Sequence, residues 1–209
     1  MTNSFKTEQE EFWAGSFGEE YIHRNQGKGL LASNLALFTK MLKTAKPDSI
    51  LEFGANIGMN LRAIETLLPN ATLAAIEINK MASVQLKKSM PSVNVFNQSI
   101  LTFEPKQNFD LVLIKGVLIH INPTELPQVY QKLYDSSARY ILVAEYYNPS
   151  PVEINYRGHS GRLFKRDFAG EMLNTFTDLR LVDYGFQYHK DPVFPADDIT
   201  WFLMEKTTL

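Results

Sequence analysis

Apolar residues recur at helical spacing over residues 30–45, where Leu31, Leu35, Phe38, Leu42 and Ala45 share a face, and Lys46-Pro47 ends that helix. A short apolar run over 49–53 (SILEF) stops at Gly54. A second helix carries Leu61, Ile64, Leu67 and Leu68 on one side and closes at Pro69-Asn70. Residues 73–78 (LAAIEI) form a buried strand, 80–90 a helix ended by Pro91, and 93–98 a strand of mixed polarity. The strongly apolar run 109–115 (FDLVLIK) is another strand. Pro123 fits the first turn of a helix that buries Leu126, Val129, Tyr130, Leu133 and Tyr134. Residues 140–147 (YILVAEYY) are a further buried strand. Strand and helix therefore alternate from 49 to 147, which implies a parallel sheet covered on both faces, the three-layer sandwich of an α/β fold.

The remainder reads differently. Residues 148–165 are expected to be an irregular polar stretch, followed by a helix carrying Phe168, Met172, Leu173 and Phe176. Two β-rich segments, 179–189 and 199–205, flank the loop DPVFPADD and are expected to pair antiparallel at the end of the sheet. No repeat or linker interrupts the chain, so one domain is expected over 1–209: a helical lid (1–46), a core (47–147), and a final part (148–209) with loop, helix and strand pair.

Composition narrows the function more by exclusion than by signal. The 209 residues are 44% hydrophobic and 21% charged, which places the chain among ordinary globular domains. With a formal charge of -2 and no basic run longer than Lys87-Lys88, a nucleic-acid partner is not expected. There is no cysteine, so disulfides, thiolate metal sites and cysteine nucleophiles are excluded. The four histidines (23, 120, 159, 189) are scattered, and no metal site is expected. The start, MTNSFKTEQEEFW, is polar and acidic, unlike a secretory signal. No apolar stretch is long enough to span a bilayer, so a soluble, cytoplasmic protein is expected.

The chemistry begins at the first strand, which runs into Glu52-Phe-Gly54-Ala-Asn-Ile-Gly58. Glycine lets such a turn bend sharply and lets a ligand approach the backbone outside the carboxyl ends of the strands. The spacing is E-x-G-x-x-x-G rather than the G-x-G-x-x-G that sets a pyrophosphate on a helix N-terminus. Glu52 would repel a pyrophosphate but suits a cationic ligand such as the methionyl end of S-adenosylmethionine. Glu77, 23 residues after Gly54, is placed to accept hydrogen bonds from ribose hydroxyls. Gln98 and Ser99 follow the third strand, where an amide or hydroxyl reads a base edge, and Lys115-Gly116 ends the fourth strand beside the same crevice.

With ILEFGANIGMN, AAIEIN and FDLVLIKGVLIHINP in place, the chain resembles the class I S-adenosylmethionine-dependent methyltransferase superfamily over residues 49–147. The resemblance implies a Rossmann-like, seven-stranded, mostly parallel sheet whose last strand is antiparallel. It implies S-adenosylmethionine as cofactor, held by Glu52, Gly54, Ala55, Asn56 and Gly58 of the turn. Glu77, Ile78, Gln98, Ser99, Lys115 and Gly116 would complete that site. One departure stands out: many members carry an acid after the third strand, where this chain has Gln98-Ser99. A narrower resemblance rests on FWAGSFGEEYIHRN, KGVLIHINP and RLFKRDFAGEM, which are similar to methylases associated with pseudaminic acid biosynthesis. It implies methyl transfer to a nonulosonate, a sugar nucleotide or a related glycan precursor.

Methyl transfer to a hydroxyl needs positioning and a proton acceptor. His120, after the fourth strand, is the first candidate base, with Glu145 as a second. Tyr146 and Tyr147 close the fifth strand and point to opposite faces, so one of them faces the acceptor; Tyr147 is taken as that residue. In such folds an N-terminal helix often lies over the cofactor, and Tyr21, Arg24 and Asn25 are candidates for its carboxylate. Arg157, His159, Arg162 and Lys165 make 155–167 the basic stretch of an acidic protein, a candidate site for an anionic small-molecule acceptor. His189 is taken as structural. Other readings stay open: a methyltransferase for an unrelated amine or acid, an NAD-dependent oxidoreductase, or a non-catalytic binding module. The missing third glycine and Glu52 argue against the oxidoreductase.

Overall fold

The computed structural model describes residues 5–24 and 26–207. Three helices come first: α1 (Glu8–Ala14), α2 (Ser16–Ile22) and α3 (Lys28–Met41). The alternating part follows as β1 (Ser49–Phe53), α4 (Met59–Leu67), β2 (Thr72–Ile76), α5 (Lys80–Ser89), β3 (Asn94–Phe96), β4 (Phe109–Lys115), α6 (Leu126–Ser136) and β5 (Ser137–Glu145). The chain then forms β6 (Val152–Tyr156), β7 (His159–Lys165), α7 (Phe168–Thr175), β8 (Leu179–Gln187) and β9 (Ile199–Lys206).

The main sheet has the order β3-β2-β1-β4-β5-β9-β8. The strands β3 to β5 run parallel, and β9 is antiparallel to both β5 and β8. Alternate residues of the central strands feed two cores. Leu51, Phe53, Val112, Ile114, Ile141 and Val143 meet Leu126 and Leu133 of α6 and Met172 of α7. Ile50, Leu111, Leu113 and Leu142 meet Phe38 and Met41 of α3 and Leu61 and Ile64 of α4 on the other face. Burial on both faces is why these strands are continuous apolar runs with no polar alternation.

Local chemistry sets the helix starts. Thr7 and Glu10 form a reciprocal capping box on α1. Asn79 caps α5 through the Ala82 amide, and Asp167 caps α7 through the Gly170 amide. Pro123 opens a single 3-10 turn, Pro123–Glu125, before α6, so the helix itself begins three residues later than the sequence implies.

Residues 148–165 depart furthest from expectation. They form an antiparallel hairpin, β6 with β7, outside the main sheet. Tyr156 pairs with His159 across the two-residue turn Arg157-Gly158, whose φ values are 52° and 87°. Two consecutive positive φ angles match the right-handed twist of a tight hairpin. Leu163 of β7 is buried in the α6/α7 core, which pins the hairpin against the 3-10 turn Leu118–His120.

Candidate functional site

A cavity of about 580 Å³ opens at the carboxyl ends of β1, β2 and β4. The helices α1 and α2, Tyr156 of the hairpin and the loop from β8 to β9 close its other sides. Its size is that of a pocket that encloses a cofactor-sized molecule.

The turn after β1 forms the floor. Gly54, Ala55 and Asn56 line the cavity; Gly58 does not. Gly54 has φ of 77°, and a Cβ there would lie 2.6 Å from Cγ2 of Val117. Gly58 has φ of 82°, and a Cβ there would lie 2.3 Å from Cδ1 of Leu86. The positive φ at both positions favours glycine, each packs closely on a neighbouring element, and Gly58 lies against Leu86 of α5 rather than on the cavity. Gly116 differs: its φ is 66°, it lines the cavity, and the position of its missing Cβ is open space.

Glu77 lines the cavity just past β2. Its carboxylate accepts the Asn56 amide at 2.6 Å and the Asn79 amide at 2.7 Å, which locks the β1 turn to the start of α5. Burial pushes its pKa up to about 6, against the lowering effect of those amides. Ile78 and Ser99 also line this side, whereas Gln98 lies off it.

Glu52 is fully buried and does not line the cavity, contrary to the expected direct contact. Two asparagines connect it to the lining. Asn60 donates to Glu52 at 2.6 Å, and Asn34 donates to Asn60 at 3.1 Å. Both asparagines line the cavity. Burial pushes the Glu52 carboxyl up to about 7. Lys115 lines the same end; burial holds its ammonium below the usual range, opposed by Glu52, Asp197 and Glu145. Tyr21 and Arg24 border this wall, while Asn25 lies outside the described residues.

His120 lines the cavity between the rings of Trp13 (centroids 4.5 Å apart) and Tyr156 (5.0 Å). Its Nδ1 lies 2.6 Å from the Arg162 carbonyl oxygen. A carbonyl only accepts, so Nδ1 carries the proton and Nε2 keeps its lone pair. Burial depresses the imidazole pKa to about 4, so the ring is neutral at neutral pH.

Several expected residues lie elsewhere. Glu145 is off the cavity; its Oε1 accepts the Val117 and Leu118 amides, each at 2.9 Å, and so shapes the 3-10 turn that carries His120. Tyr146, not Tyr147, lines the cavity. Burial and the facing Asp197 carboxylate push the Tyr146 phenol up. Tyr147 is 41% exposed and packs on Phe202 instead. The basic residues of the hairpin are also off the lining. Arg162 pairs with Glu8 and lies over Phe12, His159 packs on Phe12 and Phe17, Lys165 lies over the Tyr146 ring, and Arg157 lies over Tyr156. The anion site expected there is not assembled on this cavity.

Trp13, in the N-terminal segment expected to lie over the cofactor, lines the cavity, as do Glu10, Asn34, Asn60, Tyr156 and Asp197, which the sequence did not single out, and His189, taken as structural. Of these unexpected residues Glu10 had a readable signal, the Thr7-x-x-Glu10 capping box. Among the described residues no group of three or more histidines and acids is placed to hold a metal, and no helix is long and apolar enough to cross a membrane.

The strand order and the cavity at its switch point define the Rossmann-like fold of methyltransferases. The magnesium protoporphyrin IX methyltransferase of Synechocystis, solved with S-adenosylmethionine, superposes with a TM-score of 0.70 at 10% identity, over 99% of this chain and 100% of that one. A Burkholderia thailandensis 1,6-didemethyltoxoflavin-N1-methyltransferase, solved with S-adenosylhomocysteine, gives 0.69 at 14% identity, over 95% and 87%. Coclaurine N-methyltransferase with S-adenosylhomocysteine gives 0.65 at 13% identity; it covers 82% of this chain, which spans 60% of its length. No protein-family model matches the sequence, and no curated protein matches it.

Proposed function

We propose that the protein is an S-adenosylmethionine-dependent methyltransferase that acts on a small-molecule acceptor. One observation carries this reading: a single cavity joins the β1 turn, the Glu77 carboxylate and Gly116 at the point where the sheet order reverses. The donor set fits the cofactor. Glu77 keeps free lone pairs for ribose hydroxyls beyond its two amide bonds. Asn34, Asn60, Arg24 and Lys115 suit the amino and carboxylate groups of a methionyl end. The side-chain oxygen of Asn56 and the indole N–H of Trp13, both on the lining, are buried without a partner. Bound there, the cofactor supplies an electrophilic methyl group. The residues of this chain bind it, exclude water with the Trp13 and Tyr156 rings, and offer the Nε2 lone pair of His120 to an acceptor proton.

The topology argues against a dinucleotide. A dinucleotide site needs a second parallel mononucleotide half, whereas here the sixth sheet position is the antiparallel strand β9. The neighbours solved with S-adenosylmethionine or S-adenosylhomocysteine support the same cofactor here.

For the acceptor, we propose a sugar-type molecule, as the likeness to the pseudaminic acid methylases implies. Phenols of Tyr21, Tyr146 and Tyr156, with Asn122 and Asp197, give a wall rich in hydrogen-bonding groups, which suits a polyhydroxyl molecule. An anionic group on it would meet whichever of Arg24 and Lys115 the methionyl carboxylate leaves unengaged.

Calorimetric titration tests the cofactor first. Both S-adenosylmethionine and S-adenosylhomocysteine are expected to bind, and Glu77→Ala is expected to weaken both by about tenfold or more, the worth of lost hydrogen bonds to a charged group. Binding of NAD with no binding of either sulfur compound would reverse the assignment.

A further inference from the structure

Among the lining residues, those from the segments after β2, β3 and β4 include the apolar Ile78, Ile100, Leu101 and Val117. An apolar lining of this kind suits a flat ring. With ribose hydroxyls at Glu77, a base would lie against these residues. The loop after β3 brings Ser99 to its edge but no acid, and Gln98 is off the lining.

A carboxylate arrives from another element. Glu10 of α1 is 7% exposed, lines the cavity, and accepts a hydrogen bond from the Ser99 hydroxyl. The Ser99 oxygen itself accepts the Leu101 amide at 2.9 Å, which leaves its proton for Glu10. The other Glu10 oxygen accepts the Thr7 amide at 2.9 Å. That oxygen also accepts the Thr7 hydroxyl at 3.3 Å. Two oxygens offer about four lone-pair sites, so one acceptor site remains. Adenine presents an N6 amino group, a donor, at its edge. A purine without that group presents no donor there.

We propose that Glu10 reads the amino group of the cofactor's adenine, taking the place of an acid in the loop after β3. This rests on the cofactor reading above. The consequence is a base-specific pocket whose reader sits on the N-terminal helix rather than on the sheet.

The test is calorimetry with S-adenosylhomocysteine and its purine-riboside analogue, in which hydrogen replaces that amino group and N1 stays unprotonated. The wild-type protein is expected to prefer the adenosyl compound by at least about tenfold, since the analogue offers the carboxylate no donor. Glu10→Gln retains an oxygen for the Thr7 amide and turns an N–H2 group toward the base. Its preference is expected to vanish or invert. Ser99→Ala, which frees Glu10 from its anchor, is expected to reduce the preference, and it carries the test if Glu10→Gln does not fold. Glu8→Gln, two residues earlier in α1 and on the surface, is expected to keep the wild-type ratio. A wild-type protein that binds both compounds alike, or an unchanged ratio in Glu10→Gln, overturns the proposal. Failure of the wild-type protein to bind either compound removes the cofactor reading itself, and the proposal with it.

Discussion

His120 shows how one buried side chain is prepared for a single task. The Arg162 carbonyl fixes its tautomer, and two aromatic rings fix its plane. Its depressed pKa, about 4, has two consequences with definite signs. Activity should show no titration of this ring between pH 5 and 8; a limb with a midpoint near 6.5 would mean a solvated imidazole. Stability from the neutral ring is fully present above the unfolded value of 6.5 and is lost as pH falls toward 4. His120→Gln should lower turnover by about a hundredfold if Nε2 takes the proton, with S-adenosylhomocysteine affinity held within about twofold. Equal losses in both would make the ring a packing residue. At this scale the sequence was readable where spacing carries meaning, as for Glu77 after Gly54. It was silent on whether Tyr146 or Tyr147 faces inward, because alternation separates neighbours without saying which side holds the cavity. It also could not separate Glu145 from a base, since the backbone amides that hold it leave no mark in a sequence.

The turn after β4 and the β6–β7 hairpin together build one wall. Glu145 is the strut of the turn, and burial pushes its carboxyl up to about 7 from 4.5. A carboxyl raised in the folded state contributes stability that is fully present below 4.5 and lost as pH rises through 7. Glu145→Gln keeps an oxygen for the Val117 and Leu118 amides and removes the titration. Thermal melts should therefore show the variant gaining on the wild type between pH 5 and pH 8, by on the order of 2–3 kcal/mol. A constant difference across that range would show that the carboxyl titrates as an exposed one. The hairpin was the element that sequence reading lost. Its strands are short, amphipathic and charged, and the turn signal, Arg157-Gly158, has an arginine where asparagine or aspartate is usual. The apolar strands β1, β2, β4 and β5 were readable because burial on both faces leaves few polar interruptions, such as Glu52 and Asp110.

At the scale of the molecule, the cavity depends on residues drawn from nearly the whole chain, from Glu10 to Asp197. The strand β9 lies between β5 and β8, and its Trp201 ring occupies the space above Gly185, where a Cβ would lie 2.7 Å from it. Trp201→Ala should cost about 3–5 kcal/mol of stability. It should also loosen the β8–β9 loop that presents Asp197, so that denaturant midpoint and ligand affinity fall together. Loss of stability with full affinity would separate the loop from its strand. The same placement governs how the protein emerges from a ribosome. The nascent chain can assemble β1 to β5 as soon as they are made, but the free edge of β5 waits for the last strand described here. Until then β8 has no neighbour, and an apolar edge stands open to other chains. A chain made only as far as β8 thus carries that open edge, and the loop bearing His189 and Asp197 closes over the crevice only when β9 pairs with β5.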